Sequence, residues 1–433
     1  MKFLGKPLLY LTVLLCAALL VSCGDDDGDD PDNNNDNNNN GGTVRIGVLL
    51  PATGAPEAAT SAQNAVELAQ EEINNAGGIN GMQLEFVYGD TELDPTTGKA
   101  EAERLINEGC IGIIGSYGSS VSISVSEATI PANIPQICWA STSAQITDLD
   151  DNNLVWRTAL SDEVTAQLLA IYAFNDLNLG TVSLLYRDNA YGSGIASQFE
   201  TTFTAAGGTI DTSVAYDELN DYSNYDFATK VNAVYSQSSE GVYVIGYTAD
   251  GQLIIQEISN WKTNNDPNDE YNPQLLCGDT WQGNSILKNT EFSVIDGMIG
   301  TASSPAPDNT TFFENYRNRY NGQDPEPYAV NAYDAVYLFA SAIEAADTTS
   351  YDAIIGQLQD VSRGGTAYGP GEWEQIRSAL EAGNDQSNID YNGASGNIEY
   401  DENGDVTEGI VQIWRATDNE AGFEVVENRA TDQ

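Results

Sequence analysis

A strand-then-helix alternation that runs through the chain twice constrains the fold more than any other feature. From residue 43 the order is VRIGVLL as a strand, a helical pattern over 57–76 closed by Gly77-Gly78, and MQLEFVYGD as a strand. A helix opened by Asp94-Pro95 then runs to Asn107, and a short buried strand follows at 111–114. The series restarts after Trp156, with a helix over 164–175, the strand TVSLLYRD, a helix over 195–206 stopped by Gly207-Gly208, and the strand GTIDTSVAY. It continues with a helix over 225–235, the strand GVYVIGY, a helix over 251–261, and the strands NPQLLCGD and DGMIGTASS. Strands separated by helices pair in parallel through right-handed crossovers, with both sheet faces covered. Two successive units of this kind predict two doubly wound α/β lobes with a cleft between the carboxyl ends of their strands. Helical patterns return over 311–321, 328–346 and 351–358. The end of the chain, SGNIEYDENGDV, then EGIVQIWRA and FEVVE, reads as strands with a turn at Glu402-Asn403-Gly404.

The first 42 residues stand apart from this pattern. Lys2 and Lys6 precede an apolar run over 8–21, too short for a comfortable membrane span and suited to a signal peptide core. The run ends in Leu20-Val21-Ser22-Cys23, similar to the lipobox of bacterial lipoproteins, which expects cleavage at 1–22 and lipidation of Cys23; the alternative is a secreted protein with an incidental cysteine. Residues 24–42 are Asp, Asn and Gly with a single Pro and Thr43 beyond them, a polar tether that cannot bury a core. Charge sets the partners that are excluded. Sixteen Lys and Arg against 65 Asp and Glu give a net charge of −49, which repels nucleic acid and anionic membrane surfaces. Self-repulsion of such a surface is relieved by salt, so a salt-loving source is expected.

No residue set points to a metal or a cofactor. The chain has no His, and of its cysteines Cys110, Cys138 and Cys277 remain after the leader and Cys23, an odd number with no metal-site spacing. Cys138 and Cys277 lie in apolar runs and read as buried thiols, while a Cys110–Cys138 bridge is left open. The chemistry-bearing motif is GCIGIIGSYGSS at 109–120, a buried strand breaking on Gly115 into a turn of Gly and hydroxyl residues ahead of a helix. A helix N-terminus with free N–H groups suits an anion, and Ser119 or Ser120 adds a hydroxyl. IPQICWASTS at 134–143 repeats the design, and two such strand ends in one parallel sheet would converge on a small anionic group. Either loop alone is accounted for by ordinary serine N-capping, the role expected of Ser120.

Six segments fall in the order and spacing of one family: INNAGGINGMQLEFVYGDTELDP, IIGSYGSS, ANIPQICWASTSAQITD, LLYRDNAYGSGIASQFETTFTAAGGTI, VIGYTADGQLIIQEI and NAYDAVYLFASAIEAA. The chain resembles the periplasmic binding proteins for leucine, isoleucine and valine, over 43 to about 423. That resemblance implies a type I, Venus-flytrap fold whose lobes, joined by crossover hinges, close on an amino acid for an ABC importer. The implied lobes are 43–158 with 302–395, and 159–301 with 396–433, after the leader at 1–22 and the tether at 23–42. In the first lobe Tyr117, Gly118 and Ser119 match the residues that hold the ligand carboxylate, and Ala140, Ser141 and Thr142 match the second loop. In the second lobe Tyr191 and Tyr247 match the aromatic residues that close over the ligand, and Asp279 the acid on its ammonium.

Other readings stand beside these. Tyr191 could be a surface turn residue, Asp279 one more acid on an acidic surface, and Trp281 either a stacking ring or a residue packed under its loop; Asp334 reads as structural. The first-strand loop carries Glu57, Ala58 and Ala59 where relatives place an aromatic ring, so Trp139 is the candidate cover and branched aliphatic specificity does not carry over. An enzyme is disfavoured by the lack of His, of a cysteine-centred nucleophile motif, of a P-loop and of a strand-following GxGxxG. The expectation is therefore an extracytoplasmic, lipid-anchored protein, without cofactor or metal, that captures an amino acid or similar small zwitterion for an ABC permease. A ligand-sensing module, or an amide or urea binder of the same fold, is the alternative.

Overall fold

The computed structural model describes residues 42–282, 284–304, 310–383, 389–419 and 422–431. The expected leader, Cys23 and nearly all of the tether lie outside the described residues. The first half builds β1 (Thr43–Leu50), α1 (Pro56–Asn75), β2 (Gln83–Asp90), α2 (Pro95–Asn107), β3 (Ile113–Ile114), α3 (Ser119–Ala132), β4 (Gln136–Cys138) and β5 (Val155–Arg157). Its strands form one parallel sheet in the order β2-β1-β3-β4-β5. Apolar residues on both faces of β1, among them Val44, Ile46, Val48 and Leu49, are buried, as a sheet covered on both sides requires. The α2 start follows the sequence chemistry, because the Asp94 carboxylate accepts the Thr97 N–H and Pro95 occupies the first turn, where its missing N–H costs nothing.

The second half repeats the plan with α4 (Asp162–Asn175), β6 (Thr181–Asp188), α5 (Ala190–Ala206), β7 (Thr209–Asp217), α6 (Phe227–Tyr235), β8 (Gly241–Ile245), α7 (Thr248–Asn265) and β9 (Gln274–Cys277). Two short helices, α8 (Asn284–Asn289) and α9 (Phe292–Ile295), lead to β10 (Ile299–Ser304). Next come α10 (Thr310–Arg319), α11 (Ala329–Ala346), α12 (Tyr351–Leu358), β11 (Thr366–Tyr368), α13 (Trp373–Gly383), β12 (Ile389–Tyr391), β13 (Ile410–Ala416) and β14 (Phe423–Ala430). The second sheet has the order β14-β13-β10-β9-β8-β6-β7. It is parallel from β7 to β10, and β13 and β14 add an antiparallel edge.

The chain passes between the lobes more than once, and α11 shows why. All sixteen residues from Ala329 to Glu344 are buried, a helix covered around its whole circumference that must sit inside a lobe. It packs on α1 and against the first sheet, where Phe339 meets the backbone at Gly112 so closely that a Cβ there would clash. The buried Asp334 carboxylate on α11 accepts hydrogen bonds from the Tyr391 hydroxyl, the Ala394 and Ser395 N–H groups and the Ser395 hydroxyl. The structural reading of Asp334 is thus what the geometry bears out.

Several expectations are corrected. Residues 395–406 do not form a strand; they make only the bridges Asn392–Asn397 and Tyr400–Val406. The Asp401 carboxylate takes the Asn403 and Asp405 N–H groups, which curls the backbone into the expected turn instead of extending it. The small parallel pair β11–β12 and helix α13 were not anticipated. β10 remains in the second sheet to Ser304, beyond the lobe division expected at 302. Cys110, Cys138 and Cys277 are all buried and free, so the Cys110–Cys138 bridge does not form.

Candidate ligand-binding site

In each parallel sheet the strand order reverses once, between β1 and β3 in the first and between β6 and β8 in the second. Loops leaving adjacent strands in opposite directions open a crevice there. The residues singled out in the sequence leave these strand ends: Tyr117, Gly118 and Ser119 after β3, and Ala140, Ser141 and Thr142 after β4. Tyr191 follows β6, Tyr247 follows β8 and Asp279 follows β9. The structure brings the two groups face to face. The Tyr117 ring lies 5.9 Å from that of Tyr247, and Tyr191 stacks on Tyr247 at 5.1 Å and 23°.

Asp279 sits at the meeting point and is buried. One carboxylate oxygen accepts the Tyr191 hydroxyl at 2.7 Å, and the other accepts the hydroxyl of Tyr328, which reaches across from the start of α11 in the first lobe. A carboxylate offers about four acceptor positions, and the Asp279 and Thr280 N–H groups also stabilise this one, so it is a well-satisfied buried acid. Burial pushes the Asp279 carboxyl above its ordinary range, against the pull of the two tyrosine hydroxyls. Asp162, at the start of α4, is a second buried acid. Its carboxyl is held well up by burial first and by the charge of Asp279 second, and its Oδ2 has no hydrogen-bond partner. Two neighbouring buried carboxylates concentrate negative charge in one place, and an ammonium brought there would neutralise it. Tyr191 and Asp279 are therefore buried where the strand ends meet and are not surface residues.

The opposing first-lobe loops present donors. Ser119 begins α3, a helix N-terminus with positive partial charge, and its Oγ accepts the Ser143 N–H at 3.1 Å, which leaves its own O–H to donate. Thr142 is buried, its carbonyl held by the Asp162 N–H and by the fully buried Arg157. Arg157 also donates to the Ser143 carbonyl and pairs with Asp405 at 2.6 Å, so this cation fixes the shape of the second loop. Gly118, at φ 90°, lies in a region L side chains avoid, and a Cβ there would press on Leu93 and the Tyr247 hydroxyl.

Other assignments change. The Ser141 hydroxyl is turned inward to Ser122 and the Ser116 carbonyl, so its backbone alone is left for a ligand. Ser120 is not an N-cap; Gly118 holds that position, and the Ser120 hydroxyl donates across the cleft to Glu218 at 2.9 Å. Trp139 covers nothing, since it is fully buried behind Tyr117 with its indole N–H on the Leu49 carbonyl. Trp281 packs under its loop, donating to the Gly246 carbonyl. Of the first-loop residues, Glu57 and Ala58 line a cavity of about 270 Å3 beside the acid pair, while Ala59 is buried in α1.

Sequence reasoning missed Asp162, Tyr328, Arg187 and Asp250. Tyr328 carried a signal in its place at the head of the apolar α11 run. It adopts φ 68°, a left-handed conformation costing a non-glycine residue roughly 1–2 kcal/mol, and it spends that strain where its hydroxyl meets Asp279.

Two α/β lobes closing donor-rich strand ends of one onto buried acids of the other define a solute-binding protein. The family model for periplasmic binding proteins matches residues 43–379, and the chain belongs to that family, whose members bind solutes outside the cytoplasm and are not enzymes. It is 28% identical over 322 residues to Leu/Ile/Val-binding protein homolog 3 of Brucella melitensis, an alignment covering 72% of this chain and 82% of that protein. Among solved structures it is similar to a leucine-binding protein, LivK, from Thermotoga maritima. That match has a TM-score of 0.73 and 21% identity and covers 89% of this chain and 98% of the other. It is also similar to an ABC transporter substrate-binding protein from Desulfitobacterium hafniense in complex with Leu, with a TM-score of 0.66, 25% identity and coverage of 89% and 100%.

Proposed function

We propose that this protein is a lipid-anchored receptor for an amino acid or a close zwitterionic mimic, which it delivers to an ABC permease. The carrying observation is the buried Asp162–Asp279 pair, tied to the first-lobe loop by the Asp162 N–H on the Thr142 carbonyl, with Ser119 at the α3 N-terminus bonded to the same loop through the Ser143 N–H. A carboxylate ligand group suits the helix end, and an ammonium suits the acids. A phosphate would be repelled by the acid pair. Closure works by population shift: ligand bridging Ser119 and Thr142 in one lobe to Asp279, Tyr191 and Tyr247 in the other favours the closed form in proportion to its contacts with both. The Leu/Ile/Val-binding relatives support an amino acid and an ABC importer. Anchoring rests on the LVSC motif at Cys23, and a saline habitat on the net charge of −49.

Titration calorimetry of the purified protein against amino acids, amides, urea and small peptides tests the reading. Saturable binding of at least one α-amino acid is expected; binding of urea or simple amides alone, or of nothing, would overturn it.

A further inference from the structure

The cavity beside the acid pair carries chemistry that an aliphatic side chain does not use. Its second-lobe wall is formed by Arg187, Tyr222, Tyr247 and Asp250, and Tyr117 and Tyr328 contribute from the first lobe. Arg187 is buried, with its guanidinium 4.8 Å from the Tyr247 ring centroid and 5.4 Å from that of Tyr222. It pairs with Asp250 at 3.4 Å and Glu218 at 3.6 Å, so two carboxylates surround one cation and the wall is net negative.

Two acceptors on this wall stay unused. Asp250 is 1% exposed and spends Oδ2 on the Tyr216 hydroxyl and Arg187, while its Oδ1 has no partner. The Tyr247 hydroxyl, three residues earlier at the head of α7, is buried and also without a partner. The neighbouring Asn189 amide gives one of its two N–H groups to Glu218 and its oxygen to the Gly192 N–H, and its other N–H lies near the Tyr247 hydroxyl without a hydrogen bond of normal geometry to it. A buried acceptor left unpaired is costly, and an apolar ligand group against it makes the loss permanent, whereas a donor recovers it.

We infer that the amino acid captured here has a side chain ending in a hydrogen-bond donor, an amide, guanidinium or ammonium, received by Asp250 Oδ1 and the Tyr247 hydroxyl beside Arg187. The inference rests on the amino-acid reading above and adds the side-chain class. The net negative wall turns away acidic side chains, and the unpaired acceptors penalise leucine, isoleucine and valine.

The purified protein is titrated with glutamine, arginine, lysine, glutamate, leucine and norleucine, the last matching lysine in length without its donor. At least one of glutamine, arginine and lysine is expected to bind about tenfold or more tighter than norleucine, leucine and glutamate. Which of the three wins separates a neutral from a cationic tip. Leucine or norleucine binding as tightly as all three overturns the side-chain inference and leaves the amino-acid reading standing; no binding of any amino acid overturns both. Asp250→Asn and Tyr247→Phe are each expected to narrow the ratio between the preferred ligand and norleucine by about threefold or more. An unchanged ratio in both overturns the assignment to these atoms. Tyr247→Phe removes an oxygen that makes no hydrogen bond within the protein, so the test survives if Asp250→Asn does not fold.

Discussion

Replacing Asp279 with Asn separates the ammonium assignment from a merely structural one, because the two move binding and stability in different directions. Asn has the same shape and keeps one oxygen for a tyrosine hydroxyl, while its NH2 group donates to the other hydroxyl, which must turn to accept, so the substitution removes the charge and reverses one hydrogen bond. A buried ammonium stripped of its anionic partner costs about 2–5 kcal/mol, or roughly 30- to 5,000-fold in Kd. Asp162 remains as a second acid, which places the expected loss toward the lower end of that range. The ligand-free protein should behave oppositely. Burial raises the Asp279 carboxyl, so the stability this group contributes is present at low pH and lost as the pH rises through its raised value. The variant, lacking that group, should have an unchanged or higher Tm once the pH exceeds the raised Asp279 value, with its advantage growing as the pH rises to that value and constant above it. Calorimetry with the amino acid and with its des-amino analogue, alongside thermal melts across pH, reads both effects. The analogue should bind wild type and variant within about threefold, since it has no ammonium to lose. Equal losses for the two ligands, or a fall in Tm that matches the loss of affinity, would refute the reasoning.

Amino-acid affinity should fall as the solution is acidified, because protons compete with the ammonium for Asp162 and Asp279. Titrations in buffers of different ionisation heat should then show proton release on binding, and proton uptake would contradict the acid pair. Asp334→Ala should destabilise the fold by about 3 kcal/mol or more in urea, since it orphans the Tyr391 hydroxyl and the N–H groups of Ala394 and Ser395. Burial lifts the Asp334 carboxyl to about 6, so its own contribution is present at low pH and lost as the pH rises through about 6, and the penalty for Asp334→Ala should shrink over that interval. Arg157→Leu should cost about 3–5 kcal/mol of stability by stranding Asp405, and should weaken ligand further through the loosened Thr142–Ser143 loop; a variant that melts like wild type would deny Arg157 that role.

The parallel sheets were legible because period and punctuation agreed: apolar β1, the Asp94-Pro95 start and the Gly207-Gly208 stop each act within a few residues. The candidate site was legible where its residues sit directly on strand ends, as Ser119, Tyr191, Tyr247 and Asp279 do. What escaped depends on chain crossings that leave no local trace. Tyr328 reaches Asp279 from a helix 49 residues further along the chain. Asp162 looks like any acid in a first helical turn, and only burial beside Asp279 sets it apart. Ser120 failed for the converse reason, since its local environment suits a cap, yet its partner belongs to the opposite lobe. The segment 395–406 carries strand-like apolar residues, but Asp401 captures the backbone N–H groups a ladder would need.

The hydrogen bonds that span the cleft, Ser120 to Glu218, Asn220 to Asp94, Ser143 to the Ala190 carbonyl and Tyr328 to Asp279, share one property: every donor is an uncharged group. Closing the lobes therefore brings acidic surfaces together with no charged donor in these four bonds to offset the repulsion. Dissolved ions weaken that repulsion strongly and leave hydroxyl and amide donors nearly untouched. For a receptor clasped by ion pairs, adding salt loosens the grip. Here it should tighten it, so that dissolved ions act as a co-ligand for closure, and dilution alone, with no change in solute, would open the cleft.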